Sequence, residues 1–342
     1  MNKWIRYGVG ALVLALGVVI YQAWTPDIPH DELAEKYATG ASDFIDLPSG
    51  ARAHIRTRGN FEGKTVILLH GSNASLHTWE PWVDALEADY FIVTADLPGH
   101  GLTGPIPSEN YTYDGMVAFV DELVETLNLE NFILGGNSMG GGVTLAYALK
   151  YPDKPDGLIL VDAAGIPTPE NTRIKTSRPL AFELAGHWYS DWVLENITPR
   201  SIVEEGLKKC FSDNSNVTEA KITQYWELAR HPGNREATGK RFAWYRDGRS
   251  SLDITPIKLP TLILWGEDDS LIPVETGTLM HEMIEGSELI TYPDVGHLPM
   301  EEIPAISANA VRAFLNQFNA SVPATPENTP ETTDTTDEDV GR

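Results

Sequence analysis

Gly136-Asn137-Ser138-Met139-Gly140 sets a serine between two glycines, directly after the apolar run Phe132-Ile133-Leu134 and ahead of Val143-Thr144-Leu145-Ala146-Tyr147-Ala148-Leu149, which reads as a helix. A strand that turns straight into a helix presents the residue at the bend, and so tight a bend tolerates no bulk beside it. Gly136 and Gly140 let the bend pack against adjoining backbone, and Gly141 and Gly142 let the helix start sit close to a sheet. The pattern predicts a strand–elbow–helix unit built around Ser138. In a chain with 29 glycines the five-residue pattern alone is weak evidence, so the surrounding motifs carry the reading.

Upstream, Val66-Ile67-Leu68-Leu69 ends in His70-Gly71-Ser72, where a second loop can aim a backbone N–H at a developing oxyanion. Phe91-Ile92-Val93-Thr94-Ala95 breaks at Asp96-Leu97-Pro98-Gly99-His100-Gly101. Downstream, Leu262-Ile263-Leu264-Trp265 leads into Gly266-Glu267-Asp268-Asp269, and Leu289-Ile290-Thr291-Tyr292 leads into Asp294-Val295-Gly296-His297. Candidate partners for the serine thus occur in the chain order Ser, Asp, His. Phe44 to Leu47 and Ala51 to Arg56 flank the turn Pro48-Ser49-Gly50 and predict a hairpin. Apolar strands then alternate with helical stretches at 79–87, 116–127, 144–150, 274–284 and 305–318, which predicts a parallel sheet covered on both faces.

Taken together, these motifs resemble the α/β-hydrolases of the esterase, lipase and C–C hydrolase group, over about Phe44 to Phe318. The resemblance implies a mostly parallel central sheet flanked by helices, with a helical cap inserted at 166–256 between core segments 41–165 and 257–319. It implies Ser138 as nucleophile and His297 as general base. Asp269 fits the position of the carboxylate that orients the imidazole; Asp268 and Asp162 are the other acids at hand. The oxyanion donors would be the backbone N–H groups of Ser72 and Met139. His70 and His100 are expected to shape loops, and His77 to lie at a surface or helix start. Most of the rings in the cap segment, Phe182, Trp188, Tyr189, Trp192, Phe211, Tyr225, Trp226, Phe242, Trp244 and Tyr245, are expected in a cap core, with a few lining the substrate pocket. The chemistry requires no metal or organic cofactor.

The net charge of −24 argues against nucleic acid or an anionic membrane surface as a partner, and favours neutral substrates over polyanions. The single cysteine, Cys210, excludes an intramolecular disulfide and reads as a structural thiol. Trp4 to Trp24 is an apolar stretch interrupted by Arg6 and Gln22, long enough as a helix to cross roughly 30 Å of hydrocarbon. Aromatic residues stand at its ends, Lys3 and Arg6 lie at the amino side, and Asp27, Asp31 and Glu32 follow. Residues 1–24 are therefore expected as an uncleaved anchor in the cytoplasmic membrane, with the catalytic domain outside the cytoplasm, beyond a linker at 25–40. Residues 320–342, rich in Thr, Pro, Glu and Asp, are expected to be a disordered acidic tail.

Ser138 rather than Asp at the elbow speaks against the haloalkane dehalogenase and epoxide hydrolase branches. C–C hydrolases usually carry tryptophan after the catalytic histidine, where this chain has Leu298. Hydrolysis of carboxylic esters on neutral, fairly hydrophobic small molecules is the expected activity. C–C cleavage, amide hydrolysis and acyl transfer use the same machinery and are the alternatives. A noncatalytic binding module predicts a missing triad member, and none is missing.

Overall fold

The computed structural model describes residues 4, 7, 14, 17, 18, 21–169, 172 and 191–319. Eight strands form one sheet: β1 Ser42–Asp46, β2 Arg52–Gly59, β3 Thr65–Leu69, β4 Phe91–Ala95, β5 Phe132–Asn137, β6 Pro155–Val161, β7 Thr261–Gly266 and β8 Glu288–Tyr292. Their order is β1-β2-β4-β3-β5-β6-β7-β8. β1 and β2 pair antiparallel as the expected hairpin, β2 pairs antiparallel with β4, and every later pairing is parallel.

The apolar runs alternate between the two faces, as a strand period of two requires. Ile67 and Leu69 join Leu134, Leu160 and Ile263 in one core layer, against helices α3 (Tyr113–Thr126) and α4 (Met139–Lys150). Val66 and Leu68 join Ile133, Ile159 and Leu264 in the other, against α2 (Glu80–Leu86) and α11 (Pro304–Asn319). All six residues of β5 and of β7 are buried, which is why these strands read as unbroken apolar text.

Between β6 and β7 the described cap residues form α5 (Asp191–Asn196), α6 (Arg200–Cys210), α7 (Glu219–Ala229) and α8 (Asn234–Arg246). Phe182, Trp188 and Tyr189 lie outside the described residues, as does the acidic tail. α9 (Val274–Met283) and α10 (Pro299–Glu302) complete the carboxyl-terminal part of the core.

Two expectations need correction. The stretch read as a linker contains helix α1 (His30–Tyr37), whose Leu33 and Tyr37, four residues apart, are buried against Leu228 of the cap. The Ile28 N–H donates to Arg230 O at 2.9 Å, and Arg235 pairs with Asp27 at 2.6 Å, so this segment is clamped to the cap. Its two apolar residues are too few to dominate a polar segment as a periodic signal. The helix read from residue 144 begins at Met139, so the glycines that bring its start close to the sheet form its first turn. Most of the anchor expected at residues 1–24 lies outside the described residues. Among the described residues no helix is long and apolar enough to cross a membrane.

Candidate active site

At the carboxyl end of β5 the backbone turns at Ser138 with φ +53° and ψ −117°, and α4 starts at the next residue. A non-glycine residue in this region is strained by about 1–3 kcal/mol, so the surroundings must hold it. The Ser138 N–H donates to Val161 O at 3.0 Å, and its carbonyl accepts from Gly142 and Ala164 N–H at 3.1 and 2.9 Å. A Cβ at Gly140 would lie 2.2 Å from Leu69 O, so only glycine allows β3 to pass this close to the elbow. Ser138 itself is half-buried.

His297, in the loop after β8, is buried, with Nδ1 2.6 Å from Asp269 Oδ2. The other Asp269 oxygen accepts from the Leu271 and Ile272 N–H groups at 2.7 and 3.0 Å, which fixes the carboxylate at the end of β7. The His297 N–H donates to Cys210 O in the cap at 2.7 Å. Asn137, the residue before Ser138, donates from Nδ2 to both His297 O and Val161 O at 3.1 Å. The elbow and the histidine loop are therefore joined by a buried side chain. Asp268 is exposed and accepts from Ser212 Oγ, away from the imidazole.

The His70-Gly71-Ser72 loop crosses directly over the elbow. A Cβ at Gly71 would lie 3.1 Å from Ser138 Cβ, and Ser72 Oγ reaches Met139 Sδ at 3.7 Å. The structure thus brings together the two residues expected to supply oxyanion donors. His70 Nδ1 lies 2.7 Å from Gly71 O while Nε2 accepts from the Leu97 N–H at 2.9 Å, a pairing that needs the neutral ring. Burial pushes the His70 pKa down and favours that form. The His70 ring shapes its loop, and so does His100, whose Nδ1 lies 2.9 Å from Pro98 O. His77 sits in the single turn Leu76–Trp79, bonded to Ser75 and Tyr37.

A family model described as the alpha/beta hydrolase fold matches residues 64–304, which spans β3 to β8, the elbow, Asp269 and His297. The chain belongs to this family. It is 29% identical to "Lipase 3" of Moraxella sp. strain TA144, over 79% of this chain and 83% of that protein. It is 28% identical to the 2-hydroxy-6-oxo-2,4-heptadienoate hydrolase of Pseudomonas putida, over 73% of this chain and 88% of that one. Among solved structures, a thermophilic esterase from Thermogutta terrifontis superposes with a TM-score of 0.66 at 26% identity, covering 81% of this chain and 99% of that one. The protein is an enzyme of the hydrolase class.

Two further acids in this α/β-hydrolase bear on the site. Asp162, after β6, is fully buried; its Oδ1 accepts from the Gly266 N–H at 3.0 Å, and its carboxyl group lies beside that of Asp269. Burial first, and the neighbouring Asp269 charge second, push Asp162 well above the usual carboxylate range. Asp162, Asp269 and His297 each place one ligand atom within 4.8 Å of the others. His297 Nδ1 nevertheless carries the proton shared with Asp269, so it offers no lone pair to a cation. The other acid is Asp96, singled out in sequence only as part of a loop motif. It is buried and takes His54 Nδ1 at 2.6 Å and the Leu76 and Leu102 N–H groups at 2.7 and 2.8 Å. Burial opposes its charge, but the surrounding histidines, His54 foremost with His70 and His77, together outweigh this and hold Asp96 well below its ordinary range. Asp96 ties the segments beyond the Ser72 loop and the Pro98 loop to the sheet. Its signal in the sequence is a carboxylate closing an apolar strand.

Proposed function

We propose that this hydrolase cleaves carboxylic esters with a hydrophobic body through an acyl-enzyme on Ser138. The observation that carries the reading is the buried Asp269–His297 pair at 2.6 Å, tied through Asn137 to the strained serine elbow. His297 takes the proton as Ser138 Oγ attacks the ester carbonyl, and Asp269 stabilises the imidazolium that forms. The oxyanion rests against the Ser72 and Met139 N–H groups; each such donor contributes about 2.7–4 kcal/mol of transition-state stabilisation. Protonated His297 delivers the proton to the leaving alkoxide, and water repeats the sequence on the acyl-enzyme. Tyr113, Trp244 and Tyr245, stacked edge-on beside the first turn of α4, supply an aromatic wall suited to an apolar chain.

C–C cleavage is the second reading, favoured by the likeness to the Pseudomonas putida enzyme and opposed by Leu298 after the histidine. Membrane attachment through residues 4–24 belongs to the same proposal. Of the described aromatic residues there, Trp4, Tyr7 and Tyr21 are 69–82% exposed, while Trp24 lies against Trp192 of the cap with ring centres 5.6 Å apart. The test is hydrolysis of 4-nitrophenyl esters from acetate to palmitate by the detergent-solubilised full chain. Activity that rises with chain length and disappears in Ser138→Ala is the expected result. A folded enzyme inert on every ester moves the assignment to C–C or amide bonds.

A further inference from the structure

Arg241 on cap helix α8 is 1% exposed and its guanidinium lies 5.2 Å from the centre of the Phe242 ring, yet among the described residues none of its three guanidinium nitrogens has a hydrogen-bond partner. A buried cation normally has a carboxylate or several carbonyls around it, because the lost hydration must be replaced. Here the groups that act most on its charge are the hydroxyls of Tyr245 and Tyr111; burial pulls Arg241 down to about 10, which leaves it protonated at neutral pH.

The position of the side chain is what turns this deficit into a site. Asn234, Ala237 and Arg241 form the buried stripe of α8. Ala237 packs onto Gly99, and Asn234 Nδ2 donates to Gly101 O at 3.1 Å, so the stripe lies on the loop that follows β4. Thr238 Oγ1 bonds Asn73 Oδ1 at 3.3 Å, one residue beyond Ser72. The Arg241 charge is felt at both His70 and His100, whose rings are 5.0 Å apart beside the Ser72 loop. His100 Nε2 is likewise buried with no hydrogen-bond partner among the described residues. The guanidinium therefore stands between cap and core, close to the His70 and His100 rings, and His70 belongs to the loop that carries Ser72.

From this geometry we infer that Arg241 is the anchor of an anion subsite, which receives a carboxylate carried by the substrate a short spacer away from the scissile carbonyl. The inference rests on the esterase reading and refines its substrate class. A guanidinium offers a carboxylate two parallel N–H donors, and its unmade bonds become the ones the substrate completes. One positive charge matches one negative charge. His70 and His100 are both pushed towards the neutral form by burial, so they add no second cation for a dianionic phosphate. The chain's net charge of −24 repels polyanions at long range, but it does not prevent a single buried fork from selecting one carboxylate. The neutrality expected from composition is thereby replaced by a substrate that is apolar along its body and singly charged at one end.

The test compares kcat/KM for 4-nitrophenyl half-esters of succinate, glutarate and adipate with their uncharged isosteres, butyrate, pentanoate and hexanoate, in the full-length enzyme. For at least one spacer the charged ester is preferred, and Arg241→Met lowers that charged-to-uncharged ratio by about 30-fold, the scale of a charged hydrogen bond. Arg241→Lys, which keeps the charge and loses the fork, falls between. A second measurement needs no turnover: monomethyl glutarate raises the Tm of Ser138→Ala and leaves Ser138→Ala/Arg241→Met unmoved. Without ligand, Arg241→Met melts no lower than the parent, since it removes an unpaired buried charge. An unchanged ratio, together with a lower ligand-free Tm for Arg241→Met, would make the arginine a structural element and overturn the subsite. An equal thermal shift from inorganic phosphate would overturn the carboxylate assignment. If no ester is turned over at all, the esterase reading fails, while the thermal shift still decides the subsite.

Discussion

Asp269 and Asp162 lie side by side, in surroundings that differ in the donors they offer. Asp269 has two backbone N–H donors on one oxygen and His297 on the other, whereas Asp162 has one N–H donor and the Asp269 carboxylate beside it in a buried site. Under the proposed mechanism Asp269→Asn lowers kcat by about 10⁴-fold, because an amide favours the wrong imidazole tautomer. Asp162→Asn reproduces the neutral acid, with its carbonyl facing Gly266 N–H and its NH₂ facing Asp269, and retains kcat within about threefold. The linkage to stability has a definite sign. The folded-state pKa of Asp162 is raised, so the folded protein binds a proton that the unfolded chain releases, and stability from this group falls as pH rises above the unfolded value near 4. Asp162→Asn should therefore gain Tm over the parent at pH 8 and gain little at pH 4. Steady-state kinetics and melting curves at the two pH values check both statements. Loss of turnover in Asp162→Asn with retention in Asp269→Asn would place the orienting acid on β6.

At the scale of elements, the parts legible in sequence are those whose residues answer to one local rule. β5 and β7 are unbroken apolar runs because both faces are covered, and the elbow announces itself because glycine is required on each side of Ser138. Helix α1 escapes a sequence reading because two buried residues in eight make no period, and only the completed cap gives Leu33 and Tyr37 somewhere to pack. The start of α4 is hidden because helix propensity penalises three glycines that close packing demands. The amino-terminal segment before α1 is the element whose role depends on its surroundings most. Its proposed membrane orientation predicts that alkaline phosphatase fused after Trp24 is active, whereas a green fluorescent protein fused there in its place stays dark on Sec export. Fluorescent fusions in the cytoplasm with inactive phosphatase would reverse the topology.

Over the whole molecule, the site is assembled from segments far apart in sequence: Ser72, Ser138, Asp269 and His297 meet because four parallel strands end on one edge of the sheet. Motif order along the chain is enough to make that convergence readable. The contributions of Asn137, Asp96 and Arg241 are not readable in the same way, because each depends on which loop or cap residue faces it across the fold. Arg241 in particular stands in a polar-looking helix, Asn234–Arg246, and only the cap-to-core packing reveals that its charge is buried. The central claim is that this assembly makes Ser138 a nucleophile. It is tested most directly by treating the full-length enzyme with a fluorophosphonate and mapping the adduct by peptide mass spectrometry. The account predicts a single adduct on Ser138, formed much more slowly in His297→Ala; a folded enzyme that remains unlabelled, or carries the label on another residue, would contradict it.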